Sequence, residues 1–96
     1  APYVMMPTET LSQDFVIGNE YGMHARPAAL FVKCASRFAA EIDVIKDGFE
    51  VSGKSIMGLL TLEGHQGCTI TVRAAGPDAA EAMQALAALI TSNFGE

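Results

Sequence analysis

Apolar and polar positions change their spacing several times along the chain, and each change marks a new element. Residues 11–17 read as a strand that ends in Phe15-Val16-Ile17, and Gly18-Asn19-Glu20-Tyr21-Gly22 follows as a turn. From Pro27 to about Ala39, the apolar residues Phe31, Cys34, Ala35 and Phe38 recur at helical spacing. Leu30 widens that face, and Lys33 and Arg37 fall opposite it. This predicts an amphipathic helix with Pro27 in its first turn, where a missing N–H has no intrahelical partner to lose. Residues 41–46 and 49–52 read as strands joined at Asp47-Gly48, a pair suited to a hairpin whose central residues both take positive φ. Ser55 then stands at the N-cap of Ile56-Met57-Gly58-Leu59-Leu60-Thr61-Leu62, a helix of roughly two turns that Gly58 weakens. Gly64-His65-Gln66-Gly67 is a turn. Residues 68–74 alternate strictly, with Cys68, Ile70, Val72 and Ala74 on the inner face. Beyond Gly76-Pro77, Asp78 and Glu81 form a capping-box-like start to a last helix with Ala79, Ala82, Met83, Leu86, Leu89 and Ile90 on its buried stripe.

The order strand, helix, strand, strand, helix, strand, helix calls for one sheet with helices packed on one face, a two-layer α+β arrangement. The chain has 96 residues, enough for one domain with a single core, and shows no repeat, linker or low-complexity stretch. Residues 1–11, which include Pro2, Pro7 and a Met5-Met6 pair, are expected to be a flexible N-terminal extension to a domain spanning 12–96. Half the residues are apolar, yet no uninterrupted run approaches the roughly eighteen needed for a membrane span. A net charge of −5 argues against nucleic-acid and anionic-membrane partners, while Arg26, Lys33, Arg37 and Lys54 remain candidates for a local basic cluster. Cys34 and Cys68 lack metal or redox-pair spacing and read as free, buried thiols, which suits a reducing cytosol. No secretory signal pattern opens the chain, so a cytoplasmic location is expected.

Two short stretches carry candidate chemistry. Gly22-Met23-His24-Ala25-Arg26-Pro27 places a histidine and an arginine at a helix start. Free N–H groups and a partial positive charge there favour an anion. Neutral imidazole is nucleophilic near neutral pH, and a guanidinium stays charged throughout, so His24 can either cap the helix or accept a phosphoryl group that Arg26 then neutralises. No second acid, base or metal ligand lies nearby in sequence, which favours a carrier over an enzyme that completes a reaction alone; no cofactor or metal is expected. The second stretch is Lys54-Ser55-Ile56-Met57-Gly58-Leu59-Leu60. Ser55 reads as a helix cap, but an apolar surface beside it has the character of a docking site. A phosphate on Ser55 would be welcome at the helix dipole and would repel an acidic partner. His65 has only a turn around it and reads as an exposed loop histidine.

Gly22-Met23-His24-Ala25-Arg26-Pro27-Ala28 resembles the active-histidine motif of HPr, the phosphocarrier family of the bacterial phosphoenolpyruvate-dependent phosphotransferase system. Lys54-Ser55-Ile56-Met57-Gly58-Leu59-Leu60 resembles that family's regulatory-serine motif. Both occur in order, within a compatible series of elements, and the resemblance covers 14–96. It implies an open-faced β-sandwich, a four-stranded antiparallel sheet covered on one face by three helices. It further implies that His24 accepts a phosphoryl group on Nδ1 from phosphorylated enzyme I and passes it to enzyme IIA domains, with Arg26 stabilising the phosphoryl charge. Ser55 would be phosphorylated by HPr kinase/phosphorylase in carbon-catabolite control, with a catabolite-control regulator as a further partner. Ala25, Ala29, Ile56, Met57 and Leu60 would line the docking surface of a monomeric carrier. The same motifs are compatible with a regulation-only or nitrogen-type phosphorelay. Without the resemblance, a small interaction module in which His24 and Ser55 merely cap helices stays open.

Overall fold

The most strictly alternating segment, β4 (Thr69–Ala75), is hydrogen-bonded on both sides. In the computed structural model, which describes residues 10–96, it runs antiparallel to β1 (Thr10–Val16) on one edge and to β2 (Glu41–Lys46) on the other. β3 (Phe49–Ser52) completes the sheet in the order β1-β4-β2-β3. The hairpin between β2 and β3 turns at Asp47 and Gly48, with φ of 52° and 83°, as their side chains allow. Residues 1–9 of the expected extension lie outside the described residues. Thr10 and Leu11 belong to the sheet, paired with Ala75 and Ala74.

Alternation settles which face is covered. Phe15, Ile42, Val44, Ile70, Val72 and Ala74 point inward and are buried, and α1 (Ala25–Ala35), α2 (Ile56–Thr61) and α3 (Ala79–Thr91) supply the other half of the core. Phe31 of α1, Leu59 of α2 and Ala82, Leu86 and Ile90 of α3 are buried against them. This is the open-faced sandwich expected from the sequence: four antiparallel strands with three helices.

Three local expectations are corrected. α1 starts at Ala25, so Pro27 sits third in the helix rather than opening it. That position still requires no N–H acceptor within the helix. α1 also stops at Ala35, because Arg37 and Phe38 turn back to the carbonyls of Cys34 and Ala35 in tighter steps. Phe38 therefore reaches the core only in part, from a turn, and Cys34 and Leu89 are likewise half-buried. Asp78 makes no side-chain cap on α3. Its carboxylate instead accepts hydrogen bonds from the Ala39 and Ala40 N–H groups at 2.9 and 2.8 Å, where the chain leaves α1 for β2. Those bonds, led by the one from Ala39, hold its pKa below the ordinary 3.8 against the cost of partial desolvation.

Gly53 closes the exit from β3 directly over the core. A Cβ there would lie 2.6 Å from Ile42 Cγ2 and 2.9 Å from Phe31 Cε1. Gly53→Ala is therefore expected to destabilise the fold by about 1–3 kcal/mol through overpacking, read as a lower urea midpoint with an unchanged slope.

Candidate functional site

The loop from β1 to α1 is set by two backbone demands. Gly22 has φ of 64° and passes so close to the α2–β4 loop that a Cβ would lie 2.1 Å from the Gly64 carbonyl oxygen. Only glycine fits such an approach. The next residue, Met23, donates its N–H to that same carbonyl. Asn19, buried beneath the loop, donates from Nδ2 to the Gly22 carbonyl at 2.7 Å. The chain therefore enters α1 from a rigid corner.

His24 occupies the N-cap with extended backbone, and its carbonyl accepts the Ala28 N–H at 3.0 Å. Its imidazole makes no cap bond and is half-exposed. Nε2 lies 2.9 Å from Glu96 Oε2, while Nδ1 has no hydrogen-bond partner among the described residues. Tyr21 stands edge-on, with ring centroids 6.1 Å apart. Arg26, two residues beyond His24, is largely exposed, with Nη1 3.9 Å from Glu96 Oε2. The N–H groups of Ala25 and Arg26 open the helix, and Pro27 contributes none. An imidazole, an exposed guanidinium and a helix start thus converge on one accessible point.

Glu96 and Asn19 are the participants that sequence reasoning missed. Glu96 lies 72 residues from His24, so the statement that no second acid lies nearby holds along the chain and fails in space. Three residues in succession, Asn93, Phe94 and Gly95, take left-handed φ of 55°, 54° and 74°, and burial of the Phe94 ring holds that turn. The turn delivers the Glu96 carboxylate between His24 and Asn19, whose Nδ2 reaches Oε1 at 3.1 Å. The Asn19 hydrogen bond holds the Glu96 carboxyl below the ordinary 4.5; partial burial opposes it, and the His24 contact and Arg26 charge reinforce it. No local pattern signals this, because the carboxylate arrives through tertiary packing alone.

The second stretch forms the capped helix its sequence suggests. Ser55 has extended backbone, and its Oγ accepts the Gly58 N–H at 3.0 Å, capping α2. Gly58 has a structural reason beyond helix propensity: a Cβ there would press to 3.2 Å from both Ser55 Oγ and Val51 Cβ. Lys54 is held away from Ser55, with Nζ on the Phe38 carbonyl at 2.8 Å. Ile56 and Met57 are exposed, Leu60 is half-buried and Leu59 is buried. Ala25 and Ala29 are exposed on α1, which packs against α2. Of the proposed basic cluster, Lys33 and Arg37 face solvent, and only Arg26 stands at the histidine. His65 is exposed, in the loop that supports Gly22. Both cysteines are free, but each is half-buried rather than buried as expected, because Cys34 lies at the rim of the core-facing side of α1 and Cys68 in the loop just before β4. Among the described residues no helix is long and apolar enough to cross a membrane.

Known proteins resemble this chain over most of its length. The family profile described as "PTS HPr component phosphorylation site" matches residues 11–92. Phosphocarrier protein HPr of Cupriavidus necator is 42% identical over 86 residues, covering 90% of this chain and 97% of the relative. The HPr-like protein Crh of Halalkalibacterium halodurans is 55% identical over 69 residues, 72% of this chain and 82% of that protein. The crystal structure of HPr-C-His from Thermoanaerobacter tengcongensis superposes with a TM-score of 0.87 at 48% identity, covering 90% of this chain and 97% of the other.

Ser55→Ala removes the side-chain acceptor that caps the start of α2. It is expected to lower stability by about 1 kcal/mol, and Ser55→Asp, which restores an acceptor, to lower it by less; urea unfolding of both variants checks the order.

Proposed function

The chain belongs to the HPr family of phosphocarrier proteins, and from that premise we propose that His24 is the carrier, loaded by phosphorylated enzyme I and unloaded by enzyme IIA domains. One observation carries this reading: the imidazole is half-exposed at a helix N-cap with Nε2 engaged by Glu96 and Nδ1 unengaged among the described residues. A ring that donates from Nε2 has its lone pair on Nδ1, which makes Nδ1 the nucleophile.

In loading, the Nδ1 lone pair attacks phosphorus as the bond to the donor nitrogen breaks and its electron pair stays with the donor. Unloading is the same displacement in reverse, onto the histidine of an enzyme IIA domain. Exchange between two imidazoles is nearly balanced, so positioning and charge stabilisation are what the protein must supply. Arg26 swings its guanidinium onto the phosphoryl oxygens, and the Ala25 and Arg26 N–H groups add the field of the helix start. The protein is consumed and regenerated stoichiometrically in the cytoplasm. Ala25, Ala29, Ile56, Met57 and Leu60 form the surface on which its partners dock, and small reversible interfaces suit such exchanges.

Ser55 is the switch. Phosphorylation by HPr kinase/phosphorylase keeps an oxygen acceptor at the start of α2 and adds about two negative charges beside Ile56 and Met57. That weakens docking to an acidic enzyme I and presents a new surface to a catabolite-control regulator. The similarity to Crh proteins, 55% and 48% identical over 69 residues, favours as a second reading a carrier used for regulation alone.

Incubation with phosphoenolpyruvate and enzyme I is expected to give an acid-labile phosphate that His24→Ala abolishes and that an added enzyme IIA domain removes. Labelling that survives His24→Ala, or that never appears with a competent enzyme I, overturns the carrier assignment. With ATP and the kinase an acid-stable phosphate is expected, absent in Ser55→Ala. An acid-labile phosphate from enzyme I that the enzyme IIA domain of a sugar permease does not remove selects the regulation-only reading.

A further inference from the structure

Glu96 is placed as a third party to the chemistry of His24. Its carboxylate is not a loose surface contact. Asn19 Nδ2 holds Oε1 from a buried position and is itself fixed by the Gly22 carbonyl, so both partners of that amide nitrogen are acceptors and its orientation is unambiguous. The left-handed turn at Asn93, Phe94 and Gly95 is maintained by a ring only 2% exposed. Left-handed backbone at a bulky residue is costly unless packing over-determines it. Both restraints aim Oε2 at Nε2, on the ring edge away from the nitrogen that would carry phosphorus.

We propose that Glu96 is a positioning residue that keeps the His24 ring protonated at Nε2 while Nδ1 carries the phosphoryl group, and so keeps that group transferable. The inference rests on the reading that His24 is phosphorylated. When Nδ1 gives its lone pair to phosphorus, the ring, already bearing a proton on Nε2, becomes a cation. The Glu96 carboxylate compensates that charge through the hydrogen bond it already accepts. On transfer, the electron pair of the Nδ1–P bond returns to Nδ1 and the ring departs as neutral imidazole, its Nε2 proton never having moved. A ring that had lost that proton would have to depart as imidazolate, a far poorer leaving group. Glu96 is therefore expected to extend efficient onward transfer to higher pH.

The other groups around the ring define what the test must hold constant. Tyr21 stands at its edge, Glu20 belongs to the same loop, Arg26 comes from α1, and His65 lies in the α2–β4 loop against Gly22. Glu96→Gln leaves all of these in place and preserves shape while removing charge.

The full chain, phosphorylated on His24 and labelled with 15N in its histidines, is titrated by 31P and 15N NMR. Loss of the ring proton is expected about half a pH unit lower in Glu96→Gln, with transfer to an enzyme IIA domain about threefold slower above that midpoint and unchanged well below it. An unchanged midpoint overturns the proposal, whatever the transfer rate. Loading a parallel sample with phosphoramidate, a chemical phosphoryl donor, separates the two claims. A label that only phosphoramidate gives would refute the carrier reading and still report the midpoint. A label from enzyme I with an identical midpoint in both proteins would refute the role of Glu96 alone.

Discussion

The Gly64 carbonyl is the point on which the site is built. Met23 donates its N–H to it, and Gly22 passes so near that no side chain could follow. This one contact joins the β1–α1 loop to the loop that precedes β4. Since β1 and β4 are already paired along their whole length, the loops at that end cannot drift apart. His24 is thereby presented as the N-cap of α1 at a fixed height above the sheet. Rigid placement of an exposed imidazole suits the carrier role proposed for His24, because each partner must find the same geometry.

Charge is distributed in keeping with that placement. The protein is acidic overall, and the two cations of the sheet are tied up: Lys46 with Asp47, and Arg73 with Asp43 and Glu50. Arg26 is left exposed beside the histidine, close to a carboxylate but at 3.9 Å not tightly bound to it. Exposed pairs of this kind contribute little and rearrange easily. The Arg26 guanidinium can therefore leave Glu96 for a phosphoryl group, whereas Glu96 is held by Asn19 and stays. An anion-favouring helix start, a carboxylate at the far edge of the ring and an exposed, loosely paired guanidinium together suit the phosphoryl exchange proposed for His24.

At Asp78, sequence reasoning and structure part because hydrogen-bond donors compete for one acceptor. Asp78 stands where a helix cap belongs, but two loop N–H groups at Ala39 and Ala40 need an acceptor, and its carboxylate serves them instead. That same demand marks the place where the chain leaves α1, which is why Phe38 meets the core from a turn and not from a helix. Gly58 shows the converse. By propensity it is a weak helix residue; in the fold it is the gap that lets α2 seat on β3 beside the Ser55 cap.

The order of elements, the covered face of the sheet, the Asp47-Gly48 hairpin and the cap at Ser55 were all determined by sequence, because each follows from periodicity or from local backbone preference within a few residues. The candidate pair His24 and Arg26 was legible for the same reason, as neighbours at a helix start. The carboxylate on Nε2 was decided only by tertiary structure. Glu96 reaches the ring through a left-handed turn stabilised by the burial of Phe94 and through a hydrogen bond from Asn19, 77 residues away. Long-range packing energy of that kind leaves no trace in any local window of the chain.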